Sequence, residues 1–130
     1  MIKFLLLILL LMNIEKIDAA IAAHSAWKGR LRLAIDTGKS EFDPIKAVKD
    51  NECDFGKWLY SLTGAETNDE HFIKVKQNHA EFHRVAGRVL KLALEGKKEE
   101  AEKEIKLDSE FSSASSKCIM ALTDWKKSLK

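Results

Sequence analysis

The chain has 130 residues, the size of one domain, and can bury a core without disulfide staples. Charged residues make up 32% and apolar ones 45%, and a single Pro with six Gly argues against a turn-rich all-β fold. A net charge of +2, with Lys and Arg interleaved among Asp and Glu, gives no basic stripe for nucleic acid, and two widely spaced Cys make no disulfide framework.

Phe4 to Met12 is an unbroken apolar run behind Lys3. It resembles the h-region of a secretory signal, with Ala20-Ile21-Ala22 as a small-residue cleavage site, and falls short of the roughly 20 residues that span a bilayer. Cleavage there would leave His24 at a frayed chain end and remove its helix. A start at Met12 is the preferred reading, because the amphipathic pattern begins just after it. Residues 1–12 are therefore set apart as an apolar leader (signal, anchor or non-native start) and residues 13–130 as the working domain. Free cysteines fit a reducing, cytoplasmic setting; membrane anchoring or export follows only if the leader acts.

Four helical patterns come next. In the first, Ile14, Ile17, Ile21, His24, Leu31 and Ile35 recur at three- and four-residue steps, one helix face, and Thr37-Gly38 ends it. The second starts at Asp43-Pro44, an N-cap followed by Pro in the first turn. It is predicted to break at Asp50-Asn51 and resume over Cys53–Leu62, with Thr63-Gly64 closing it. The third runs from about Asn68 to Glu95, with Phe72, Val75, His79, Phe82, His83, Ala86, Val89, Leu90 and Ala93 on one face. The fourth runs from about Lys98 to Leu129, with Ala101, Ile105, Phe111, Ala114, Cys118, Leu122, Trp125 and Leu129 inward. Short connections between four helices predict an all-α, antiparallel four-helix bundle whose second helix is broken near Cys53.

His79 and His83 lie four apart, so a helix stacks them on one face and two imidazoles can meet one ion. His24 points inward from the first helix. Buried imidazoles need a hydrogen bond or a metal. Cys53 adds a soft sulfur at a helix start, where the positive dipole end favours thiolate. Three His and one Cys make a complete tetrahedral set for zinc, one ion per chain, with no position left for substrate. Gly56 costs about 1 kcal/mol in a helix relative to Ala and is expected where a neighbouring helix comes close. Trp27 and Trp58 read as packing aromatics, His71 as a surface or capping residue and Cys118 as core. The alternating charges of Lys97 to Lys106 read as a solvated face. No HExxH, GxSxG or phosphate loop is present, so no enzyme is expected.

The order His24…Trp27, Cys53-x-Phe55-Gly56-Lys57-Trp58-Leu59, then His79-x-x-Phe82-His83 resembles the bacterial chemoreceptor zinc-binding (CZB) domain, over roughly Asn13 to Lys130. The resemblance implies a four-helix bundle that holds zinc through His24, Cys53, His79 and His83. It also implies a sensory role beside a chemoreceptor or diguanylate cyclase, often as a homodimer, in chemotaxis or cyclic-di-GMP signalling, with the zinc-bound Cys open to oxidants such as hypochlorous acid. These residues hold no receptor signalling hairpin and no cyclase domain, so the output is expected to be read by a separate protein or a dimer interface. A zinc store or buffer, a hemerythrin-like di-iron bundle and a purely structural bundle remain as alternatives.

Overall fold

The computed structural model describes residues 2–130, so Met1 of the expected leader lies outside the described residues. Every regular element among them is helical: α1 Ile2–Ser25, α2 Trp27–Thr37, α3 Pro44–Ala47, α4 Asp54–Ser61, a 3-10 helix over Gly64–Asn68, α5 Glu70–Leu94, α6 Lys98–Glu104 and α7 Glu110–Ser128. The helices are shorter and more numerous than the four predicted. The first pattern divides at Ala26, though the Ala26 N–H still bonds to the Ala22 carbonyl and the Arg30 N–H to that of Ala26, so α1 runs almost directly into α2. It also begins earlier than predicted, because the leader extends the same helix back to Ile2.

The fourth pattern divides as well. Ser109 stops the approach and caps α7, its hydroxyl accepting the Ser112 N–H at 3.1 Å. Asp108-Ser109 carried that signal, but the apolar period runs on through it. The remaining boundaries follow their caps. Asp43 accepts from the Ile45 N–H ahead of Pro44, and Asp69 accepts from the His71 N–H to start α5. Gly38, with φ of +70°, ends α2 in the left-handed conformation that an L side chain resists.

α5 is the central element. It packs on α7, α2, α3 and α6, while α1 packs on α7 and α4. All nine residues predicted for its inner face are buried, His79 and His83 among them. Phe72 of α5 meets Trp125 edge to face, whereas Arg84 and Arg88 reach back to Glu110, so α7 runs antiparallel to α5. The run Lys97–Lys106 is less idle than a solvated face: Glu102 pairs with Arg32 at 2.8 Å and Glu104 with Arg88 at 2.7 Å, tying α6 to α2 and α5. These pairs are largely exposed and contribute little each. Cys118 is buried in the core, as expected, and burial pushes its thiol up to about 12.

Two glycines set how closely α3 and α4 approach. A Cβ on Gly56 would collide with the Asp50 carbonyl, so the neighbour that needs room is the Asp50–Asn51 loop backbone, not a helix as predicted. A Cβ on Gly87 would collide with the side chain and backbone of Val48, just past α3. Backbone cannot yield as a flexible side chain does. Gly87→Ala is expected to destabilise the zinc-free protein by about 1–3 kcal/mol, the usual cost of overpacking, as a lower urea midpoint at unchanged slope. An unchanged midpoint would mean that α3 is free to shift.

Candidate metal centre

The sequence candidates His24, Cys53, His79 and His83 converge. One donor atom from each lies within 4.8 Å of all the others. His24 comes from the last turn of α1, and His79 and His83 from successive turns of α5. Cys53 is the N-cap of α4, where an oxygen side chain is usual, and its Sγ accepts the Gly56 N–H at 3.3 Å. The three imidazoles are buried and the sulfur half-buried. His71 lies in the first turn of α5, outside the cluster, consistent with a surface reading.

The spacing suits one ion. The three Nε2 atoms stand 3.2 Å (His24–His83), 3.0 Å (His24–His79) and 3.1 Å (His79–His83) apart. Cys53 Sγ is 3.3 Å from His79 Nε2 and 3.9 Å from His24 Nε2. A tetrahedral zinc with bonds of about 2.0–2.1 Å to nitrogen and about 2.3 Å to sulfur needs N···N edges of about 3.3 Å and N···S edges of about 3.6 Å. The three nitrogen edges and the Cys53 edges to His79 and His24 are therefore already close to closed size, while the Cys53–His83 edge lies within 4.8 Å, so the sulfur side closes last.

The outer nitrogens decide what the inner ones can be. His24 Nδ1 lies 2.7 Å from the Ala20 carbonyl and His83 Nδ1 3.0 Å from that of Ala47, contacts that require Nδ1–H and leave each Nε2 with a lone pair. Two such lone pairs facing each other cannot hydrogen-bond. Protonation is no remedy, since burial lowers His24 to about 4 and His79 to about 2 and also lowers His83. His79 Nδ1 is buried without a partner, a further cost. A cation among the Nε2 atoms resolves the repulsion, and backbone carbonyls behind ligating histidines are the usual orienting arrangement.

The thiol departs from expectation. Burial raises Cys53 above its ordinary value and outweighs the N–H groups of Gly56, Phe55 and Cys53 itself, which act to lower it. The helix start alone does not hold the thiolate; a bound cation would have to displace the proton. A cavity of about 430 Å³ opens onto this edge, bordered by Trp27, Arg30 and Phe42. Arg30 stacks on the Phe42 ring, 4.7 Å from its centroid, and on Trp27 at 5.4 Å. The donor group contains no carboxylate. Bridging carboxylates are what a di-iron centre requires, and a thiolate with three imidazoles suits zinc.

The family model of the chemoreceptor zinc-binding domain matches residues 24–90. The chain belongs to that family. The match covers just over half of the chain, begins at the first candidate donor and takes in all four; it is narrower than the Asn13–Lys130 resemblance. Comparison with curated proteins and with solved structures gives no match. This CZB chain thus has a zinc-binding family and a donor cluster that fits its metal.

Sequence reasoning did not reach three supports of the site: the Ala20 and Ala47 carbonyls and Gly87. Carbonyls have no sequence signature. Gly87 did have one, a glycine inside a strongly periodic helix one turn beyond His83.

The buried imidazoles also set a pH dependence for the zinc-free protein. An unfolded histidine takes its proton near 6.5, whereas folded His24 does so only at about 4 and His79 at about 2. Below 6.5 the unfolded chain holds more protons, so folding stability falls as pH falls. Each histidine contributes up to about 1.4 kcal/mol per pH unit. Urea midpoints in the presence of chelator should decline from pH 7 to pH 5. A flat profile over that window would show that these imidazoles are not held neutral by burial.

Proposed function

We propose that this chain is a zinc-responsive regulatory domain in which His24, Cys53, His79 and His83 hold one zinc ion. The observation that supports it most directly is the convergence of three Nε2 atoms, two of them held with lone pairs inward by backbone carbonyls, and one sulfur within 4.8 Å of one another, within a family defined by zinc binding. Four protein donors complete the coordination shell, which favours a structural or sensing site over catalysis. When bound, the ion supplies a positive crosslink among four side chains. We read residues 13–130 as the working domain, and its helices as four antiparallel rods: α1–α2, α3–α4, α5 and α6–α7.

Cys53 gives the site a way to report. Its sulfur both caps α4 and faces the three imidazoles, so the state of that sulfur bears on how α4 begins. Phe55 then meets His79 at 5.2 Å between centroids, Trp58 meets Phe55 at 5.6 Å, and Trp125 of α7 meets Trp58 at 5.7 Å. Displacement of α4 would therefore be felt on α7. An oxidant of the hypochlorous acid or peroxide class would take two electrons from the Cys53 sulfur to give a sulfenic acid, a poorer ligand and a poorer cap. Cys53 is the most accessible of the four donors, beside the open cavity. The output would be a chemoreceptor or diguanylate cyclase, with the domain acting as a homodimer in a bacterial cytoplasm, as the family resemblance implies. A zinc buffer would share the same site and differ in having no such partner.

The test is the metal content of the purified chain. About one zinc per chain is expected. His83→Ala should weaken zinc binding by more than the roughly 10–100-fold typical of losing an outer partner. With zinc at 100 times its Kd the ion contributes about 2.7 kcal/mol, so chelation should lower Tm by about 10 °C. Absence of metal after zinc addition, with Tm indifferent to chelator, would reduce the four residues to core packing. If Cys53→Ala keeps wild-type affinity and the same response to oxidant, the redox part of the proposal is wrong.

A further inference from the structure

The first half of α1 is apolar on every side and, Leu10 apart, is left exposed by the described residues. Ile2, Phe4, Leu5, Leu7, Leu9 and Leu11 are each half exposed or more. Successive residues turn by about 100° around a helix, so Leu5-Leu6-Leu7-Ile8 alone encircle the axis. A partner helix or a groove reads one stripe and leaves a polar face to solvent. No such stripe exists here: the first polar residue after Lys3 is Asn13. A rod apolar in all directions suits a medium apolar in all directions.

Its dimensions narrow the medium further. Phe4 to Met12 rises about 14 Å at 1.5 Å per residue, about half of a 30 Å hydrocarbon core. No helix among the described residues is long and apolar enough to cross a membrane. Lysines bracket the rod. Lys3 precedes it, and Lys16 follows it on α1. Lys126, Lys127 and Lys130 stand at the end of α7, which the Lys126–Asp18 pair at 2.7 Å fixes against the base of the rod. Glu15, Asp18 and Asp124 share that end, so it carries little excess charge. Lys126 is committed to Asp18; the other lysines act through their long stems, which let the charged heads reach phosphate while the apolar part is submerged.

We propose that residues 2–12 of α1 insert obliquely into one leaflet of a lipid bilayer, with the base lysines at headgroup level and Lys3, at the deeper end, extending its stem back towards that level. α1 continues unbroken from this rod through the buried Ile17 and Ala20 to His24. Twelve helical steps lead from Met12 to His24, about 18 Å, so the donor cluster sits close above the lipid surface. The inference does not depend on metal, because it uses no property of the four donors.

Flotation of the full chain with vesicles of phosphatidylcholine and phosphatidylglycerol tests it, in low salt and in 0.5 M NaCl, beside the variant Leu5→Glu/Leu7→Glu, which places charge on opposite sides of the rod. The wild type should float at both salt concentrations, because insertion is apolar rather than electrostatic. The variant should lose at least tenfold in lipid partitioning while keeping the helical content and zinc content of the wild type. Failure of the wild type to float at any lipid concentration would overturn the proposal, and so would its release by salt. A stable oligomer through the rod that vesicles do not dissolve would assign the surface to a second copy of the chain. N-terminal sequencing that finds residues 2–12 removed from the protein in its own cells would assign them to a processed leader.

Discussion

Three imidazole nitrogens and one sulfur converge within 4.8 Å of one another, and the rest of the structure accommodates that fact. Left without a cation, the arrangement is unfavourable. Two of the imidazoles are fixed by backbone carbonyls in the tautomer that turns Nε2 inward, and burial opposes the protons that would relieve them. Such a cluster is costly to assemble for packing alone, since apolar side chains would fill the space at lower cost. The hydrophobic core meets that cost: the buried Phe55 and Phe82 rings pack edge-on against the imidazoles, Phe55 on His24 and His79 and Phe82 on His24 and His83, and leave them little freedom to turn away.

The approach of the short helices is part of the same constraint. α3 carries the Ala47 carbonyl to His83 and Cys53 caps α4. α4 buries Phe55 and Leu59 in the core and α3 only Ala47, and close contacts at Gly87 against Val48 and at Gly56 against the Asp50–Asn51 loop complete their seating. Cys53 is then asked for two things by one atom, as cap of α4 and as candidate ligand. A serine would cap as well and an interior cysteine would ligate as well; a cysteine at this N-cap position does both through a sulfur that can also be oxidised.

The two ends of α1 have different character. One carries His24 into the donor cluster; the other is an exposed apolar rod. They belong to one helix without a break, so whatever medium surrounds the rod constrains the direction from which the metal centre is presented. The antiparallel α7 reinforces this, since its C-terminal lysines meet α1 at the base of the rod while Trp125, in the same turn, meets Trp58 of α4.

Much of this was legible in the sequence because it is written in local periodicity and local caps. The all-helical class, the inner faces of α5 and α7, the break before Cys53 and the four candidate donors follow from apolar steps of three and four, from Asp43-Pro44, and from two histidines one turn apart. The extent of α1 and the division at Ser109 did not, because an apolar leader has no helical period to read and a cap signal inside a continuing stripe is outvoted by it. What only the tertiary structure decided is distance and environment. Whether His24 would meet His79, which carbonyls would stand behind the rings, and whether Cys53 would be a thiol or a thiolate depend on groups far apart in the chain. The sequence determined which side chains could bind a metal; the packing of α1, α4 and α5 determined that they face one another, with the lone pairs of His24 and His83 turned inward and imidazole protonation opposed by burial.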